Sequence, residues 1–147
     1  MYTLILIVHV LAASIWTGGH LFLALGLLPK VLKDKDYSAL LNFERNYEKV
    51  GMPALIVQVL TGVYLSYNLL PNFSEWLSFQ NHISFHISLK LILLALTILL
   101  AVIANTVIIP NIKKGNNLTI MAVFAYLVTL LSIFFVIVGL SFRLFIF

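Results

Sequence analysis

The chain has 147 residues, 62% of them hydrophobic and only 10% charged, with a mean hydropathy of +1.08. A soluble domain of this size carries about 25% charged residues, so the composition points away from a water-soluble globule and towards one membrane domain. The net charge of +4 includes no basic run long enough for nucleic acid, and the absence of cysteine removes disulfides, thiolate nucleophiles, Cys-type zinc sites and iron–sulfur clusters.

Tyr2 to Leu28 contains no Asp, Glu, Lys or Arg. About 20 apolar residues cross the hydrocarbon core, so this stretch predicts a first span over about 2–28, ended by Pro29 and Lys30. No basic segment precedes it and its apolar run is too long for a signal peptide, so it reads as a retained helix. The connection Lys30 to Lys49 is charged throughout and predicts a short surface helix from about Tyr37 to Lys49, with Leu40, Leu41, Phe43 and Tyr47 facing membrane or bundle. The second span is expected over 50–70, with Pro53 in its first turn, where a missing N–H is tolerated, and Pro71 and Asn72 after it. The next connection carries Phe73, Trp76 and Phe79, aromatics suited to an interfacial belt. A third span over 84–109 is closed by Pro110, and a fourth over 118–142 follows the turn at Gly115, Asn116 and Asn117.

Backbone groups in hydrocarbon must pair within each span, which makes these runs helices. The expected fold is all-α, an integral membrane four-helix up-down bundle forming a single transmembrane domain over 1–147. Seven Lys and Arg residues fall in the first and third connections (Lys30, Lys33, Lys35, Arg45, Lys49, Lys113 and Lys114), against Arg143 alone near the C-terminus. The positive-inside rule then predicts connections one and three in the cytoplasm and both termini outside.

That topology converts sequence position into depth. His9 on the first helix and His86 on the third fall in the outer part of the membrane, with His82 at the rim. Lys90 lies one turn below His86 on the same face. Imidazole ligates copper, haem iron and zinc, and ionisable groups inside membranes are usually functional. The competing account is that each histidine only bonds a carbonyl or hydroxyl across the bundle. Lys90 either snorkels to the interface or meets an anion such as a haem propionate, since no acidic residue lies in any predicted span. His20 shares the stripe of His9, about three turns deeper, and could belong to a second site, join a proton relay, or bond Gln58 or Asn105. Trp16 is expected to face the bundle near His9. Gly18, Gly19, Gly26 and Gly62 suit close helix packing, and Tyr64 and Tyr67 are candidate donors, with interfacial anchoring the competing reading for Tyr67.

His9, Trp16 and the pair Gly18–Gly19 resemble the first transmembrane helix of the bacterial copper-resistance D (CopD) family. The stretch from Arg45 through Gly51 and Pro53, followed by Thr61, Gly62 and Tyr64, is similar to the second-helix pattern of that family and of the related HemJ-type protoporphyrinogen oxidases. Leu89, Lys90 and Leu91 resemble the third-helix lysine motif of both. The resemblance implies a multi-pass protein of the bacterial inner membrane. On the CopD side it implies copper uptake or homeostasis, with His9, His86, His20 and His82 as candidate metal ligands. On the HemJ side it implies b-haem and redox chemistry, with His9 and Lys90 at the matching positions and His86, Trp16 and Tyr64 as further cofactor-binding candidates. The chain departs from HemJ in that Pro29 and Lys30 come later than that family's Pro-Arg pair. It departs from a copper-permeation pattern in that Met1, Met52 and Met121 form no ladder, although Cu(I) prefers soft sulfur ligands. A third reading is an accessory subunit whose polar residues only pack helices. Four short helices offer little volume around a cofactor, which favours a homodimer.

Overall fold

The computed structural model describes residues 1–112 and 118–144. It consists of four long helices with no strand among the described residues: α1 (Tyr2–Asp34), α2 (Tyr37–Leu69), α3 (His82–Asn111) and α4 (Leu118–Leu144). Each is long and apolar enough to cross a membrane, as the four uncharged runs of the sequence require. The expected surface turn at 115–117 and the basic pair Lys113 and Lys114 lie outside the described residues.

The helices outrun their expected ends. α1 does not stop at Pro29 but continues through it to Asp34. The reason is a π-helical turn over Phe22–Leu27, in which Leu28 N–H bonds the Leu23 carbonyl five residues back. Pro29 thereby falls in the first turn of the α-helical segment that follows, where no N–H is needed. α3 repeats the device: a π-helical turn over Ala104–Ile108 precedes Pro110, and the helix runs on beyond it. α1 then ends at Lys35, which adopts a left-handed conformation with φ 54°. Asp36 starts α2 by accepting the Ala39 N–H at 3.0 Å, a standard N-cap.

The expected surface helix and second span are one continuous helix, and Pro53 sits in its interior rather than its first turn. Pro53 and Lys49, whose carbonyl loses its helical donor, are both exposed. At 1.5 Å per residue, the 33 residues of α2 extend roughly 50 Å, well beyond a hydrocarbon core of about 30 Å.

α2 packs along α1, α1 against α4, and α4 along α3, whereas α2 and α3 share little contact. The main apolar core lies at the lysine-rich end, where Leu23, Leu28 and Val31 of α1 meet Leu40 of α2, Ile108 of α3, and Leu118, Met121, Ala122 and Ala125 of α4. Polar stitches join α1 to α4: Thr129 donates to the His20 carbonyl at 3.1 Å and Thr17 to the Ser132 carbonyl at 3.5 Å. The aromatic connection is less peripheral than expected. Trp76 is buried, and its indole N–H caps the Leu70 carbonyl at 2.9 Å. Its own carbonyl accepts from buried Ser88 at 2.6 Å, tying the connection to α3. Phe73 stacks between Tyr67 and Trp76.

Candidate functional site

His9 projects from α1 onto α2. Its Nδ1 lies 2.9 Å from Thr61 Oγ1, and the Thr61 hydroxyl lies 2.6 Å from the Val57 carbonyl. The hydroxyl proton goes to that carbonyl, so Oγ1 accepts and His9 Nδ1 donates; the ring's lone pair is then on Nε2. Gly62 makes the seat, because a Cβ there would stand 3.2 Å from His9 Cε1. Tyr64 is half-buried one turn beyond Thr61 on α2.

His86 belongs to a different cluster. It is 1% exposed, and its Nδ1 donates to the His82 carbonyl one turn back at 2.8 Å. The His82 ring packs 4.4 Å from it, and Phe142 of α4 stacks on His82 and meets His86 edge-on. His82 Nε2 lies 3.4 Å from the Phe142 carbonyl. The structure brings His82, His86 and Phe142 together, and it brings His9 together with Thr61. No hydrogen bond or ring contact joins His9 to His86 among the described residues. Lys90 stands between the two groups, its Nζ 5.8 Å from the Phe142 ring centroid.

His20 forms a third locus, at 9% exposure. Trp16 meets its ring edge-on at 4.5 Å and Tyr47 at 5.5 Å. Neither ring nitrogen has a hydrogen-bond partner among the described residues, so the expected bond to Gln58 or Asn105 is not made. Asn105 is exposed and donates to the Ala101 carbonyl instead. Trp16 is buried and faces the bundle as expected, packing against His20 and Tyr47.

Two groups that shape these loci carry no role assigned from sequence. Thr61, present there only as part of the second-helix pattern, orients His9. Tyr47, expected to face membrane or bundle, turns to the bundle: its hydroxyl donates to the Trp16 carbonyl at 2.8 Å and its ring lies over Gly19 and Gly51. Among the described residues, no three His, Asp or Glu side chains converge to hold a metal ion. Comparison with protein-family models, with curated proteins and with solved structures returns no match.

Proposed function

We propose that this chain is a multi-pass protein of the bacterial inner membrane that handles copper through intramembrane imidazole, with His9 as the principal ligand. The reading is supported above all by the His9–Thr61 contact. A histidine whose Nδ1–H is fixed by an oxygen, with its lone pair on Nε2, has the outer-shell arrangement typical of metal-bound imidazole. Two or three such nitrogens can bind copper without sulfur, and His86 and His82 supply further imidazoles towards the same end of the bundle. With the lysine-rich end in the cytoplasm, both termini and these three histidines lie towards the outer face.

A b-haem reading has its own support. His9 on α1 and His86 on α3 are each anchored at Nδ1, to Thr61 and to the His82 carbonyl. Axial haem ligation asks for two imidazoles and no third protein donor. Bound haem would supply one-electron redox chemistry, while the protein would contribute the ligands and the apolar surround. A homodimer would give either centre a more enclosed site.

Optical and metal analysis of the detergent-purified protein separates the readings. Copper retained by the wild type and lost in His9→Ala, without a Soret band, is the expected result. A Soret band that shifts on dithionite reduction and disappears in His9→Ala overturns copper in favour of haem. Neither cofactor, with His9→Ala fully functional in cells, leaves only the accessory role.

A further inference from the structure

The chain has five acidic side chains: Asp34, Asp36, Glu44, Glu48 and Glu75. The first four lie around the junction of α1 and α2, at the lysine-rich end. Glu75 lies in the connection before α3 and accepts from Asn72 at 2.7 Å. The half of the bundle that holds His9 and Lys90 therefore offers no carboxylate within its helices. Lys90 forms no hydrogen bond and no ion pair among the described residues, and its recorded contact is the face of Phe142 at 5.8 Å. That distance is at the outer edge of a cation–π interaction. An ammonium within a span is expensive unless it finds an opposite charge. Beside it, the His9 ring adds no negative charge. On α2, Gln58 Oε1, one turn before the Thr61 that holds His9, is buried without a partner among the described residues. Among the described residues, α3 thus carries a cation lacking an anion and α2 a buried amide oxygen lacking a donor. α2 and α3 share little contact, so helix packing does not close the seam between them.

We infer that Lys90 anchors the acid group of an amphipathic anion, a carboxylate or phosphate carried on a long apolar chain, whose tail lies between α2 and α3. The charge is complementary to Lys90, and the apolar chain suits the lateral route. Gln58 meets a hydroxyl or acid proton of the same headgroup. This site does not depend on a metal at His9, and its test uses chelator-washed protein with no cofactor added.

The probe is cis-parinaric acid, whose conjugated tail takes energy from tryptophan, titrated into the protein in a non-ionic detergent. Its methyl ester has the same tail without the charge. A charge-assisted contact of ordinary strength corresponds to about a tenfold change in affinity or more. The ester is therefore expected to bind at least about tenfold more weakly than the acid. Lys90→Met should lose a similar factor, and Lys90→Arg should retain most of the binding. Displacement by oleate identifies a free fatty acid as the natural source, and displacement by phosphatidylglycerol identifies a membrane lipid; either supports the site. Equal binding of acid and ester by the wild type overturns it, and needs no variant to fold. So does a monodisperse Lys90→Met protein that binds the acid like the wild type.

Discussion

Replacing Gly19 by alanine tests how α1 and α2 are held together. The Tyr47 ring lies directly over Gly19, so an added Cβ would overlap its Cε2 and Cζ atoms. The ring has no easy retreat. A Cβ at Gly51 behind it would come within 2.8 Å of its Cε1, and Phe43 stacks at 5.5 Å. To admit the methyl group, Tyr47 must swing out and release its 2.8 Å bond to the Trp16 carbonyl. The lost hydrogen bond costs about 0.5–1.5 kcal/mol and the overpacking about 1–3 kcal/mol. Alanine recovers roughly 0.5–1 kcal/mol of helix propensity, so the net destabilisation should be about 1–3 kcal/mol. Unfolding in mixed detergent micelles by SDS titration, followed by fluorescence of nearby Trp16, measures it. Two comparisons give the test its sign. At Gly18 an added Cβ meets nothing within 4 Å, so Gly18→Ala should be neutral or slightly stabilising. In a Tyr47→Ala background, Gly19→Ala should reverse and stabilise, because only propensity remains. If Gly19→Ala destabilises equally with and without Tyr47, the ring is not what holds the position open.

Other outcomes follow from single contacts. Thr61→Val keeps the shape of the side chain but removes the oxygen that orients His9; on the proposed copper reading, copper affinity, read by competition with a chromophoric chelator, should fall about 10–100-fold and return with Thr61→Ser. A fall no larger in Val than in Ser would detach Thr61 from the metal. Both buried ring nitrogens of His20 lack partners among the described residues, so His20→Leu should stabilise the protein by about 1–3 kcal/mol if the ring only packs. A loss of stability in the same SDS titration would refute that packing-only account. Asp36 is held below the usual carboxylate range, first by the Ser38 hydroxyl and then by the Ala39 N–H. Because the folded value is the depressed one, its contribution is complete above the unfolded carboxylate value and fades as pH falls through the folded one. Asp36→Asn keeps a capping oxygen without a charge, so it should flatten the acid limb of thermal stability below about pH 5, where the wild type declines.

The helices and their order were legible because each span is an uncharged apolar run, and burial of backbone polar groups leaves little alternative. The site was legible only in part. His9, His86 and Lys90 stood out because ionisable groups are rare in such runs. Their partners did not, because depth along a helix can be counted from sequence whereas rotation about the helix and lateral order cannot. Sequence position puts His9 and His86 at similar depth on two helices but says nothing of what each meets. The bundle runs α2, α1, α4, α3 in contact order, and within it His9 meets Thr61 of α2 and His86 meets Phe142 of α4. For Tyr47 the same gap leaves open whether it meets membrane or bundle; its segment is charged enough to read as a surface helix, and one face of it docks on Trp16 and Gly19.

The misplaced boundaries have one physical origin. Pro29, Pro53 and Pro110 each remove a helical donor, and a proline inside a helical pattern ordinarily marks an end. Here the chain resolves the conflict in two ways. Before Pro29 and Pro110, a π-helical turn shifts the bonding partner by one residue, so that the proline enters as though at a fresh helix start. A wide turn leaves no distinctive residue pattern: Phe22–Leu27 is wholly apolar, whereas Ala104–Ile108 includes Asn105 and Thr106. At Pro53 there is no such turn, and the carbonyl left over belongs to Lys49 on an exposed face. In a helix roughly 50 Å long that level lies near the charged end, where water or lipid headgroups can donate to the carbonyl. The difference follows from environment. Towards the membrane interior, a freed carbonyl must be re-paired by the chain itself, and a change of helical pitch accomplishes this. Near the interface, solvent can do it, and the α-helix continues unaltered through its proline.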